Sequence, residues 1–276
     1  MAFNLAATYS PTLDQVFTLD SMTNDLNGDK GYSFTDAQSI KVETVTTEDF
    51  VAYARTDTLT EAIADVTNVE NTVNTYTISQ YKKNVKHFDF FDELEQPAVT
   101  VAKFEIAVTK ERYIPMIDAY RLSVLCAAAT ANGQTTAGTA NGYTDMLTTN
   151  AYLTNAHAPR TGRVIYGDTT FEQSIKLDSH FIAYTSDQLA KVRDGSIGYV
   201  DGVKVVIVPD DYMPAGFSAV EVHTDAVFGP RGIKKSQIKE VPGKPGKNVE
   251  MYARYDLFVL NEKELGIAAI TNSDSV

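Results

Sequence analysis

Apolar and polar positions change their period several times along the chain. From Ser39, Ile40 and Val42 alternate with Lys41 and Glu43, the period of two of a half-buried strand. The alternation slips before Val45, which predicts a bulge or the end of one face. A second strand-like run carries Val73, Tyr76 and Ile78. Between them, residues 47–74 are polar and acidic without strong periodicity. A connection of about 28 residues is too long for a simple hairpin loop, and it predicts a functional segment or one that packs on another chain. The longest helical pattern runs from Ala98 to Ala131, with stripes Val101, Phe104, Val108 and Ile117, Tyr120, Val124, Ala128. Asp92, Glu93, Glu95 and Pro97 suit its start, and Asn132-Gly133 stops it. Pro115 lies between the stripes and predicts a kink, at a cost of about 3 kcal/mol or more. Such a helix would be about 50 Å long, which suits the backbone of an elongated subunit.

Residues 1–38 have little periodicity and predict an extended arm, with a short helix over 13–22. Residues 132–142, rich in Gly, Thr and Asn, predict a flexible linker and a domain boundary. Beyond it the pattern predicts a helix over 143–157, a strand over 163–166 and a helix over 169–177. Asp201-Gly202 predicts a tight turn, 203–208 a strand ended by Pro209, and 217–223 another strand. Residues 240–248 are a second turn-rich boundary, and the last two strands are expected to rejoin the elements before the linker. The whole predicts an α+β chain with a second domain nested inside the first.

The chain has 276 residues, 43% of them hydrophobic, enough for a sizeable core. Its net charge of −12 argues against wrapping nucleic acid with the whole surface. Cys126 is the only cysteine, so no disulfide can form within the chain. The first residues lack a basic segment and a long apolar run, and no signal peptide is expected. No run of about 18 apolar residues is present, so no membrane span is expected. These features predict synthesis and retention in a cytoplasm, or in what is assembled there.

Candidate chemistry is sparse. His87, His157, His180 and His223 have no metal-site spacing. The stretch around Ser196 lacks the first Gly of a nucleophile elbow, and PGKPGKN has Asn248 where a phosphate loop needs Ser or Thr. Cys126 sits among alanines with no basic neighbour and reads as a packing residue. No catalytic set and no cofactor site emerges. Asp25, Asn27, Asp29 and Asp36 approach the spacing of a calcium loop. Lys30 stands where the loop needs Gly, Asp36 where it prefers Glu, and a strand follows, so the stretch reads first as a polar arm and only second as a calcium-dependent binding module.

Charge is uneven. Residues 43–70 hold seven acids, among them Glu48, Asp57, Glu61 and Asp65, and one base, Arg55. Residues 231–247 hold six bases, among them Arg231, Lys234, Lys235 and Lys239, and one acid, Glu240. They are two solvated loops, or the acidic loop of one subunit lies on the basic segment of another.

Five phrases in order, YSPTLDQVFTLDSMT, GYSFTDAQSIKV, IPMIDAYRLSVLCAAA, GYVDGVKVVIVPDDYMP and RYDLFVLNEKELGI, resemble major capsid proteins of tailed bacteriophages, which have the Hong Kong 97-like fold. The resemblance covers almost the whole chain. It implies an N-terminal arm (1–34), an extended loop (47–74), a peripheral domain (35–46, 75–131 and 248–276) with a spine helix over about 97–131, and an axial domain (132–247). It implies a coat protein that assembles into hexamers and pentamers of an icosahedral shell around double-stranded DNA, in a virion built in the bacterial cytoplasm. It also implies a portal and, because the chain has no room for a large N-terminal scaffolding segment, a separate scaffolding protein. No Lys occurs between Lys41 and Lys82, so no loop-lysine crosslink is expected. An encapsulin-like compartment shares the fold and is the alternative.

Overall fold

The computed structural model describes residues 20–27, 39–45, 71–89, 101–178, 198–230, 233–240, 243 and 245–272. They fall into two compact units, residues 31–78 and residues 1–30 with 79–276.

In the first unit, β1 (Ser39–Val45) and β2 (Asn71–Thr77) pair antiparallel, Ser39 opposite Thr77 and Val45 opposite Asn71. The register is continuous, so the slip expected before Val45 is not a bulge; the alternation breaks there because Val45 is exposed at the strand end. The long connection between them, 46–70, lies outside the described residues.

The second unit is built around one helix. Helix α1 runs from Val101 to Ala131 and holds a π-helical turn, Thr109–Tyr113. The Ile114 N–H donates to the Thr109 carbonyl, five residues back, directly before Pro115. The wide turn relieves the crowding that the proline ring imposes on the preceding carbonyls. By length and composition α1 could cross a membrane, but its buried face carries Asp118 and Arg121 and packs on a sheet, as a core helix does.

That sheet has six strands in the order β4-β13-β8-β5-β7-β6: β4 (Thr135–Ala137), β5 (Arg163–Gly167), β6 (Gly198–Val200), β7 (Val203–Ile207), β8 (Phe217–His223) and β13 (Ile267–Thr271). Leu122, Leu125 and Cys126 of α1 pack with Val164, Tyr166, Val220 and Val222 on one face. Helices α2 (Gly142–Asn155) and α3 (Thr169–Lys176) cover the other, where Met146, Phe171 and Ile175 meet Ile165, Val205 and Ala219. The sheet is thus a middle layer with both faces buried. The β6–β7 turn puts Asp201 at φ 47° and Gly202 at φ 81°, the two positive angles that this short hairpin requires.

A second sheet orders β10 (Ile233–Glu240), β11 (Lys247–Tyr255) and β3 (Gln80–Phe88), all antiparallel. One face turns Val249, Met251 and Tyr255 inward. At the turn before β11, Gly246 has φ 111°, and a Cβ there would stand 2.1 Å from the Phe88 carbonyl oxygen. A short pair, β9 (Val227–Phe228) and β12 (Phe258–Val259), closes the unit.

Two expectations need correction. The stretch 132–142 is not only a linker: β4 lies in it and pairs parallel with β13. Of the two last strands, β11 does rejoin β3, but β13 enters the six-stranded sheet between β4 and β8. The four residues Ile267–Ile270 are fully buried, and only a sheet covered on both faces can take such a run.

Candidate functional site

Residues 20–27 are held by two charged residues one turn apart on α1. Asp118 is fully buried and accepts from the Ser21 hydroxyl at 2.9 Å, the Met22 N–H at 2.9 Å and the Thr23 hydroxyl at 2.6 Å. Arg121 donates to Thr23 Oγ1 at 3.0 Å, to the Thr23 carbonyl at 3.3 Å and to Asn27 Oδ1. Burial lowers the pKa of the Arg121 guanidinium, and the neighbouring Asp118 carboxylate opposes that shift. Asp25 pairs with Lys204 of β7 at 2.6 Å. The segment therefore bridges the spine of the unit and its large sheet. Of the calcium candidates, Asp25 faces Lys204 and Asn27 faces Arg121, both cations of the chain itself; Asp29 and Asp36 lie outside the described residues. Among the described residues no three His, Cys, Asp or Glu side chains gather as a metal site.

On the α2 side of the six-stranded sheet lies a second buried polar group. Arg163 donates to the carbonyls of Asn150 (3.0 Å), Ala158 (2.7 Å) and Pro159 (2.9 Å), to Asn150 Oδ1 and to the Thr154 hydroxyl (3.2 Å). It fastens the C-terminal turn of α2 and the chain that leaves it. Glu221, fully buried, accepts one bond from Thr149, and burial pushes its carboxyl up to about 7. Nearby, His223 Nδ1 accepts from the Asp225 N–H at 3.1 Å, so its Nε2 carries the proton that faces the Thr161 carbonyl at 2.9 Å. These residues hold the fold together.

The outer face of the β10-β11-β3 sheet is different. Tyr81, Lys83 and Val85 of β3 stand beside Arg254, Tyr252 and Glu250 of β11, with Lys235 and Lys239 of β10 at its side. Tyr81 is 53% exposed and Tyr252 38%. Lys239 meets Glu250 at 2.6 Å, and the Tyr252 hydroxyl donates to the same carboxylate at 2.8 Å.

No family model matches the chain, and no curated protein matches it by sequence. Its structure has many counterparts. A capsid structure of cyanophage P-SCSP1u superposes with a TM-score of 0.69 at 10% identity, over 99% of this chain and 94% of that one. A subunit of the mature capsid of bacteriophage PhiM1 gives 0.68 at 10% identity, over 98% and 92%. A structure from Mycobacterium phage Che8 gives 0.63 at 16% identity, over 98% of both chains.

The chain has the phage capsid fold. This is the Hong Kong 97-like α+β architecture that the five sequence phrases imply.

Of the interface candidates, Lys235 is exposed on β10, Lys234 lies on the same strand, and Lys239 is already paired with Glu250. Glu48, Asp57, Glu61, Asp65 and Arg231 lie outside the described residues. Sequence reasoning missed Lys83 and Arg254, which extend the basic face of the capsid fold onto β3 and β11. It also missed Asp118, Arg121, Arg163 and Glu221, because an isolated charge within an apolar run carries no signal of its partner.

Proposed function

We propose that this protein is the major capsid protein of a tailed bacteriophage, a structural subunit without enzymatic activity. It assembles into hexamers and pentamers of an icosahedral shell that encloses double-stranded DNA, with a separate scaffolding protein and a portal, inside a bacterial host. The observation that carries this reading is the near-complete mutual coverage with capsid structures, 99% of this chain and 94% of the cyanophage chain. A fold alone does not fix a function, so the reading rests on how completely the two chains cover each other. In this reading residues 47–74 form the extended loop, α1 the spine helix, and residues 132–247 the axial domain. The acidic run 43–70 of one subunit meets the basic segment of a neighbour, and many modest contacts add up over the shell. Electron microscopy of the expressed chain tests the proposal. Icosahedral shells or capsomer rings are the expected result, and DNA in shells taken from a phage lysate separates a virion from a cargo compartment. Monomers under all assembly conditions would overturn it.

A further inference from the structure

Arg163 and Glu221 are a buried cation and a buried acid that stand side by side without bonding each other. Ile165 of β5 lies opposite Glu221 of β8, so Arg163, two residues before Ile165, is a diagonal neighbour of Glu221 on the same face of the sheet. Diagonal neighbours are about 7–8 Å apart, within reach of a long side chain. Yet every acceptor that the guanidinium meets among the described residues is neutral: the carbonyls of Asn150, Ala158 and Pro159, the Asn150 amide and the Thr154 hydroxyl. Glu221 has the Thr149 hydroxyl on Oε2, and its Oε1 meets no partner among the described residues. That arrangement suits a protonated carboxyl. It does not suit a carboxylate, because a buried charge with an unbonded oxygen is costly and the fork of an arginine is its strongest available partner. The other ionisable groups around Glu221 do not supply the missing bond. Asp201, at the β6–β7 turn, is itself an acid and opposes ionisation. Asp145, one turn earlier on α2, accepts from Thr139. His223, two residues further along β8, directs its proton to the Thr161 carbonyl.

The neutral acceptors of Arg163 belong to one piece of chain. Asn150 and Thr154 are in the last turns of α2, and Ala158 and Pro159 follow its end. His157 lies between them at φ 57°, a left-handed angle that persists in a non-glycine residue only where its surroundings impose it. The same piece forms one wall of a cavity of about 480 Å³, with His157, Ala158 and Pro159 facing Glu264 and Gly266. We infer that Glu221 and the chain over 156–160 compete for the Arg163 guanidinium: while Glu221 holds its proton, Arg163 fastens this chain to α2, and when the proton leaves for solvent, Arg163 turns to Glu221 and the chain loosens. What then holds residues 156–160 to α2 are backbone bonds from the N–H groups of Ala156, His157 and Ala158. The fold thus carries a proton-operated latch on one wall of the cavity. Burial pushes the Glu221 carboxyl up to about 7, so the latch is closed at pH 5.5 and open at pH 8.5. It is a property of the single subunit and does not depend on the assembly reading.

Trypsin cutting after Arg160, which is exposed, reads the latch. Unassembled subunits are digested briefly at pH 5.5, 7 and 8.5. The rate after Arg160 is divided by that of a synthetic peptide of residues 154–166 in the same buffer, which removes the response of the protease itself to pH. In the wild type this ratio should rise by about tenfold from pH 5.5 to 8.5, with its midpoint near 7. Glu221→Gln keeps the shape of the side chain and cannot ionise, so it should stay at the pH 5.5 value throughout. Arg163→Lys, whose single ammonium cannot span the same acceptors, should be cut at pH 5.5 as fast as the wild type is at pH 8.5. A flat ratio in the wild type overturns the inference, and so does a rise that Glu221→Gln retains. Cutting after Lys86 in β3 separates the latch from a general loss of stability: a rise shared equally by that site refutes the latch as well. The two wild-type rates decide the question alone if a variant fails to fold.

Discussion

The Thr149 hydroxyl donates to Glu221 Oε2 at 2.6 Å, and Glu221 Oε1 has no partner among the described residues. Arg163 lies on the same face of the sheet one strand away, but its hydrogen bonds go to α2 and the chain beyond it. The carboxyl is therefore buried with one donor and an uncompensated oxygen. Burial raises its pKa to about 7, against the lowering effects of Thr149 and Arg163. The folded state then holds the proton more tightly than the unfolded chain does. Stability from this group is fully present below the unfolded value, near 4.5, falls as pH rises, and levels off above about 7. The total is on the order of 3 kcal/mol. Denaturant midpoints of unassembled subunits at pH 5 and pH 8 should show this fall in the wild type. Glu221→Gln should flatten it and be the more stable chain at pH 8.

Removing the carboxylate that holds residues 21–23 should be severe. Asp118→Ala leaves Arg121 buried beside three donors without an acceptor, a loss of about 3–5 kcal/mol. Limited proteolysis should cut near residues 20–27 faster in the variant. Replacing both charges, Asp118→Leu with Arg121→Met, should recover much of the lost stability, because no lone charge then remains.

Gly246 and Gly202 both have positive φ, but only one is crowded. An alanine Cβ at 246 would press on the Phe88 carbonyl, whereas at Gly202 nothing stands within 4 Å. Gly202→Ala should cost about 1 kcal/mol, for backbone strain alone. Gly246→Ala should cost more than about 2 kcal/mol and speed amide exchange in β3 and β11.

Cys126 should behave as a packing residue. Its thiol is buried, and burial alone pushes it up to about 12. A thiol reagent at pH 8 should label the native chain at least about a hundredfold more slowly than the unfolded one.

Lys234→Glu with Lys235→Glu should weaken shell assembly if the basic strand β10 meets the acidic run, and Glu61→Lys with Asp65→Lys should partly restore it. Light scattering of assembly mixtures reads both.

Where an element combines clear periodicity with turn chemistry, the sequence located it well. The strand over 217–223 is β8, the strand over 163–166 is β5 less its last residue, and the helices over 143–157 and 169–177 are α2 and α3 to within two residues at each end. Asp201-Gly202 predicted its hairpin because few residue pairs tolerate both positive angles. The strands β3, β4 and β10 were not legible. QYKKNVKHF and IKKSQIKE carry polar residues on both faces, so neither shows the alternation that burial imposes. Strand β4 is three residues long inside a Gly- and Thr-rich stretch, and only its parallel pairing with β13 makes it a strand.

The place of β13 has a consequence for synthesis. Its partners β4 and β8 leave the ribosome well before it does, yet the sheet cannot close until residues 267–271 lie between them. Until then the nascent chain presents the apolar edge of β8, and long-range closure of this kind is slow. A chain cut short before this strand would lack the slat that joins its sheet, and an unfinished copy could not pass for a folded one.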